Sequence, residues 1–469
     1  MKDPDCIYIR GGWIITVSSN RYLMKNSGVF IENGIITEIG KVESLDSKYK
    51  GKCDIEIDAT RSIVMPGLIN THVHLAQGIM RGCAEYLRLH DWLRNVIWPL
   101  QNSMKEQEAI ASAKLVISEM LKSGITTFLE TMMLPNYGID NIIEFILKSG
   151  IRAALSRHIS PFSLASDQGG MWEDKNNSVN DLKRLYYKYH GQDDRVWVWI
   201  SPRTIIKYAQ EIDQVSYLKD ISSLARELNT GITMHFVETE EERTLILREF
   251  KRKPIELLQL TGMLGKNVTL VHSIWLDHEE IELLARTRTN VSYNPCSNMK
   301  LASGVAKIPE MIKLGVNVSL GTDGGPSNNT YDLLREMKHA VLLQSIAYMN
   351  PAVIRAEDVI EMATINGAKA LMIDHLVGSI EVGKKADIII IDYWQPHLIP
   401  MNNPVSHIVY CASGHDVKHV IINGKLIVHN KKIQTINEEE ILKEAEKAFE
   451  SLSSRAGVCR EVETWWHII

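Results

Sequence analysis

No stretch of roughly 18 uncharged apolar residues occurs in this 469-residue chain, so no segment reads as a membrane-spanning helix. Nor is there an excess of one charge. Lys and Arg number 52 against 57 Asp and Glu, giving a net charge of -5, and the basic residues are scattered. That argues against nucleic acid or an anionic membrane as the main partner. Cysteine is sparse and unpatterned: Cys6, Cys53, Cys83, Cys296, Cys411 and Cys459 contain no CxxC pair. In a long chain this reads as reduced thiols in a cytosol. The opening Met-Lys-Asp-Pro-Asp carries no apolar signal core, and no solenoid repeat or low-complexity segment is present. The expectation is a soluble, cytoplasmic protein. What remains is ordinary globular composition, 45% hydrophobic and 23% charged, in a chain long enough for a large barrel with a smaller module.

The texture changes along the chain. Residues 1–66 hold short β-type runs (Cys6–Ile9, Gly12–Val17, Gly28–Ile31, Ile35–Ile39) with Asn33-Gly34 as a hairpin signal. A matching pattern returns in 376–435, with Ala386–Ile391, Val405–Tyr410, Val417–Ile422 and Lys425–His429 read as strands and Asn423-Gly424 as a turn. The two ends are expected to pair into one small β-sandwich. Residues 436–469 read as a C-terminal helix, over Asn437–Ser454, and a tail.

Between them, 67–375 alternates buried-strand runs with helical patterns such as Glu106–Leu121, Ile143–Lys148, Tyr217–Leu228 and Ile308–Leu314. Eight strand candidates are Gly67–His74, Ile125–Glu130, Ile151–His158, Val196–Ser201, Thr233–Glu238, Val268–Ile274, Val291–Asn294 and Val316–Asp323. The predicted fold is α/β: a (β/α)8 TIM-type barrel carrying the sandwich. A doubly wound open sheet competes, but eight consecutive units favour closure.

A barrel of this kind presents chemistry at the C-terminal ends of its strands. Strand one ends in Thr71-His72-Val73-His74, and residues two apart in a strand share a face, so both imidazoles look inward. Strand five ends in His235-Phe236-Val237-Glu238, strand six in Val271-His272, strand eight in Gly321-Thr322-Asp323. One histidine at a strand end is more often a hydrogen-bonded core residue than a ligand. Four chemically matched strand ends are not so easily explained, because converging imidazoles and a carboxylate are costly to bury unpaired. A divalent ion satisfies them together, and N and O donors suit zinc or iron(II).

In this order, His72-x-His74, His235, His272 and Asp323 resemble the amidohydrolase superfamily. So do Met65-Pro66-Gly67-Leu68-Ile69-Asn70, Asn294-Pro295-Cys296-Ser297-Asn298, Gly321-Thr322-Asp323-Gly324 and Gly383-Lys384-Lys385-Ala386-Asp387. Asp91-Trp92-Leu93, Ile97-Trp98-Pro99 and His235-x-x-Glu238 are similar to the branch of S-adenosylhomocysteine/methylthioadenosine deaminases, guanine deaminases and triazine hydrolases. The resemblance implies a metal held by His72, His74, His235 and Asp323, with Glu238, His272 and Asp323 acting on substrate and water. Two-metal members carry a lysine on strand four; Val196–Arg203 has none, so one ion, zinc before iron(II), is implied. It further implies release of ammonia from an aminated purine-like ring, and self-association as a dimer or tetramer. The alternatives are a hydrolase of triazines or of another C–N or C–halogen bond, and a metal-free scaffold. The scaffold reading is disfavoured because every ligand position is filled.

Substrate contacts implied by the same resemblance are Gln77, Trp92, Gln101, Arg157 and Arg203, and the adenosine-type pattern is departed from at three expected contacts. Gln101 stands where a glutamate grips ribose, no second arginine occurs around Gly169–Met171, and Arg203 replaces a histidine. Gln77 with Pro202-Arg203 is similar to guanine deaminases, which favours a ring carrying a keto group. The blander reading of Gln77 and Arg203 is a hydrogen bond or salt bridge at the barrel mouth. Two further patterns are set aside. Pro295-Cys296 lacks the second cysteine of the small zinc deaminases, since position 299 is Met, and Gly34 to Gly40-Lys41 has the wrong spacing for a phosphate loop.

Overall fold

The computed structural model describes residues 4–159, 173–203 and 213–459. The barrel strands are β1 (Leu68–His74), β2 (Ile125–Met133), β3 (Arg152–Ile159), β4 (Val196–Pro202), β5 (Ile232–Phe236), β6 (Val268–His272), β7 (Asn290–Tyr293), β8 (Val318–Leu320) and β9 (Asp323–Gly324). They pair in parallel, and β8 lies at one end of the hydrogen-bonded order with β9 at the other, beside β1. β8 and β9 are two halves of the single run expected over Val316–Asp323, broken at Gly321-Thr322. The sheet therefore closes on itself, and the fold is the (β/α)8 barrel. All eight expected strands are present, within a few residues of their expected limits.

Three helices matter below: α1 (Glu106–Lys122), α2 (Glu240–Phe250) and α3 (Glu438–Ala456). Each begins on a recognisable signal. Glu106 and Glu108 lie in the first turn of α1, where Glu108 accepts from the Lys105 N–H. The Thr239 hydroxyl caps α2 and Asn437 caps α3, each ahead of three glutamates that complement the helix dipole. α1 buries Ala109, Val116, Ile117, Met120 and Leu121 in the main apolar core, and α3 is fastened across it. Lys114 reaches Glu444 at 2.7 Å, Arg455 donates to Ser103 O at 2.8 Å, and Arg455 also pairs with Glu108.

The two ends of the chain do share a module. A four-stranded sheet runs Ile35–Lys41, Ser27–Glu32, Cys6–Arg10, Ile55–Asp58. A seven-stranded sheet joins Ile388–Asp392 antiparallel to Ser62–Pro66, uniting sequence-distant halves. Ile7, Ile9, Val29, Ile31, Val64, Ile388, Ile390 and Ile421 share the core of this module. Both Asn-Gly turns take left-handed backbone at both positions (Asn33 φ 49° and Gly34 φ 79°; Asn423 φ 52° and Gly424 φ 72°). The turns abut, and a side chain at Gly424 would collide with the Gly34 backbone.

Two expectations are corrected. Val405–Tyr410 is a helix, Pro404–Tyr410, not a strand. Asn403 caps it by accepting from the Ser406 N–H at 3.1 Å, and Pro404 occupies its first turn; these outweigh the β-branched residues within. The cysteines are not all reduced: Cys83 and Cys459 form a disulfide across 376 residues, leaving Cys6, Cys53, Cys296 and Cys411 free among the described residues. α3 runs back over the segment that follows β1, which delivers Cys459 to Cys83, a proximity no local pattern reveals. Among the described residues no helix is long and apolar enough to cross a membrane.

Candidate active site

At the C-terminal mouth of the barrel, register sets who meets whom. Asp323 pairs with Val73, between the two histidines of β1, and Phe236 pairs with His272 one residue beyond His235. The four imidazoles gather accordingly. Ring centroids of His72 lie 4.8 Å from His74, 4.9 Å from His235 and 5.7 Å from His272. Asp323 Oδ1 stands 3.2 Å from His72 Nε2 and 3.4 Å from His74 Nε2. His272 Nε2 lies 3.5 Å from Glu238 Oε2 and 4.0 Å from Asp323 Oδ2.

The outer hydrogen bonds fix which nitrogens point inward. Thr131 O can only accept, so His74 Nδ1, at 3.0 Å, carries the proton and Nε2 keeps its lone pair. The Thr131 hydroxyl meets His72 Nδ1 at 3.0 Å, and His272 Nδ1 donates to Asn298 Oδ1 at 2.9 Å. Asp323 accepts from Ser297 Oγ at 2.6 Å and from the Gly324 N–H at 2.8 Å. Among the described residues His272 Nε2 is buried with no hydrogen-bond partner, and His72 Nε2 faces the Asp323 carboxylate.

Burial drives His72, His74 and His235 toward neutrality: His74 is pushed down to about 4, and His235 falls well below the usual range, helped by its histidine neighbours. Burial also opposes ionisation of Asp323, but His72, His74 and His272 outweigh it and hold this carboxyl well below its ordinary value. Buried imidazoles and a carboxylate thus converge at hydrogen-bond distance away from water, an arrangement that is costly unless a cation joins it. The donor atoms of His72, His74 and Asp323 lie within 4.8 Å of one another, as do those of His72, His235 and His272, and either group could hold a metal ion. The residues fit a divalent ion.

Backbone strain marks the same places. Met132, Val237, His272 and Asp323 all take positive φ (78°, 41°, 66° and 65°), conformations that non-glycine residues rarely adopt. They lie at the ends of β2, β5, β6 and at β9, where the chain must turn sharply to aim a side chain inward. Gly321 and Gly324 flank Asp323 for a different reason. A side chain at 321 would meet Asn294 and His72, and one at 324 would meet the Gln77 amide.

The expected substrate residues are dispersed around this cluster. Gln77 is buried against Gly324, and its Oε1 has no partner. Trp92 is buried with an unpartnered indole N–H, and Gln101 donates to the Tyr137 hydroxyl at 3.2 Å. The Arg157 guanidinium donates to Asp181 at 2.8 Å, to His158 O at 2.8 Å and to Glu173. The Arg203 charge bears on His158, pushed down to about 3 by burial first and then by Arg203 and Arg157. Residues 169–171, where a second arginine was sought, lie outside the described residues. Sequence reasoning passed over Thr131, Ser303 and His158. Thr131 falls one residue beyond the expected end of β2; treating every strand-end polar residue as a partner for a neighbouring histidine would have found it.

A model of the amidohydrolase family matches residues 63–427, and the chain belongs to that family. It is 37% identical over 453 residues to a 5'-deoxyadenosine deaminase of Methanosarcina acetivorans, covering 96% of this chain and 99% of that one. To a 5-methylthioadenosine/S-adenosylhomocysteine deaminase of Thermoanaerobacter pseudethanolicus it is 35% identical, covering 96% and 100%. A zinc-bound adenosine deaminase from Xanthomonas campestris has the same fold, with a TM-score of 0.88 at 24% identity over 96% of this chain and 98% of that one. The protein is a hydrolytic deaminase of the amidohydrolase family.

Proposed function

We propose that the chain hydrolyses the amino group from the purine of an adenosine-type nucleoside, releasing ammonia and leaving an oxo ring. The observation that carries this is the intact His72/His74/His235/Asp323 cluster in a chain that matches 5'-deoxyadenosine and methylthioadenosine deaminases over 96% of its length. In this reading His72, His74, His235 and Asp323 hold one zinc ion. Bound there, the ion would make water a competent nucleophile near neutral pH. Asp323 would accept a proton from the attacking water, and His272, 3.5 Å from Glu238, would orient that water and steady the developing charge. Burial raises the Glu238 carboxyl above its usual value, as a general acid requires. Glu238 protonates the ring nitrogen beside the amino-bearing carbon, which makes that carbon electrophilic. Water then adds, and the amino nitrogen, once protonated, leaves as ammonia. We assign 1–66 and 376–435 to the sandwich, 67–375 to the barrel and 436–469 to the C-terminal helix and tail, and we place the enzyme in the cytoplasm as a dimer or tetramer.

Gln77 beside Gly324 and Arg203 beside His158 favour a second reading, a ring that already carries a keto oxygen, for which five guanidinium donors are suited. The kcat/KM values of the native protein and Arg203→Ala separate the two, with 5'-deoxyadenosine, S-adenosylhomocysteine, adenosine, guanine and an oxopterin as substrates. The adenosine-type reading expects strong native activity on the nucleosides. Preferred turnover of guanine or the oxopterin, weakened by about 1–3 kcal/mol in Arg203→Ala, would replace it with the keto-ring reading.

A prediction about the supporting hydrogen bonds follows from Thr131. Thr131→Val removes the hydroxyl facing His72 Nδ1 but keeps the carbonyl that holds His74. Metal affinity, followed by competition with a chromogenic chelator, is expected to weaken roughly 10–100-fold. Unchanged affinity would show that His72 is oriented without Thr131.

A further inference from the structure

The turn between His235 and Glu238 is strained. Val237 sits at φ 41°, where a β-branched residue is a genuine outlier, and such a conformation persists only where surrounding bonds over-determine it. Two bonds do so. On one side Val237 O accepts from the Trp275 N–H at 3.2 Å. On the other, the Glu238 N–H donates to Glu242 Oε2 at 3.0 Å. Glu242 is itself fixed, because its own N–H donates to the Thr239 hydroxyl at 3.2 Å in the cap of α2.

Glu242 is an odd residue for this place. It is buried, and among the described residues no cation hydrogen-bonds to it and its Oε1 has no hydrogen-bond partner. Burial raises its carboxyl to about 7. An apolar residue would fill the space at less cost, so the reward lies in what Oε2 holds.

We infer that Glu242 is a positioning residue for Glu238: its Oε2 clamps the strained turn, so that the Glu238 carboxyl meets Ser303 and His272 rather than swinging free. This rests on the acid–base reading of Glu238. Among the described residues the Glu238 carboxyl has two polar partners to steer it, Ser303 Oγ at 3.2 Å and His272 Nε2 at 3.5 Å, neither tight. Its aim is therefore set largely by its backbone, and that backbone is set by Glu242. A proton donor displaced by about an ångström loses rate while substrate binding is spared.

Two substitutions separate reach from charge. Glu242→Gln keeps an acceptor oxygen at full length and loses the ionisable group. Glu242→Asp keeps the ionisable group and, one methylene shorter, cannot reach the Glu238 N–H. With the zinc-loaded protein and 5'-deoxyadenosine, Glu242→Gln is expected to retain most of kcat. Glu242→Asp is expected to lose roughly tenfold or more in kcat, with KM and metal content unchanged. A native rate for Glu242→Asp, or an equal fall in both variants, overturns the assignment. Glu238→Gln is measured alongside. If it is slow while Glu242→Asp runs at the native rate, only the positioning role falls; if Glu238→Gln keeps the native rate, the acid–base reading falls and Glu242's role with it.

Discussion

Stripping the divalent ion with a chelator is expected to abolish ammonia release, and about one equivalent of zinc per chain is expected to restore it. The expectation follows from what the barrel mouth leaves unpaired. His272 Nε2 has no hydrogen-bond partner among the described residues, and the Asp323 carboxylate stands 3.2–3.4 Å from the inward nitrogens of His72 and His74. No lysine lies on β4, so a carboxylated-lysine bridge to a second ion cannot form there. Asp323→Asn is expected to lose roughly 10³-fold or more in kcat, because it removes both a charged ligand and the proton acceptor. Elemental analysis with activity decides it. Two ions per chain, or a fully active stripped protein, would end the single-metal reading.

Glu238→Gln is expected to lower kcat by about 10²-fold or more while leaving the metal in place. The substitution preserves length and the contact with Ser303 but cannot deliver a proton to the ring. Glu238 sits 3.5 Å from His272 and belongs to neither group of residues able to hold the ion. Normal zinc content with a slow rate is thus the signature of an acid–base group. Loss of zinc would make Glu238 a ligand, and a full rate would make it a bystander.

The parts of the site that were legible in the sequence are those written in residue type and strand spacing. His72 and His74 share a face because they are two apart on β1, and His235, His272 and Asp323 end runs whose apolar character announces buried strands. The sandwich was legible through its two Asn-Gly turns. What escaped lies in backbone and in distance. Nothing in Met132, Val237, His272 or Asp323 as residue types foretells left-handed geometry, which tertiary contacts impose. Val405, Ile408 and Val409 spoke for a strand while Asn403-Pro404 spoke for a helix, and the cap prevailed. The sequence marks Arg157 as a candidate ligand contact but says nothing of Asp181 and Glu173, the carboxylates that its guanidinium pairs with.

The bridge between Cys83 and Cys459 turns most of this polypeptide into a covalent loop. Every barrel strand except β1 is threaded on that loop, as is the whole C-terminal half of the sandwich. Its closure deprives the denatured chain of conformations, a gain that chain-entropy reasoning puts at about 6 kcal/mol for a circuit this long. It also changes what a broken backbone means. One proteolytic cut between the two cysteines linearises the circuit without releasing a fragment, so the halves of the barrel stay tethered and able to find each other until a reductant lets them go.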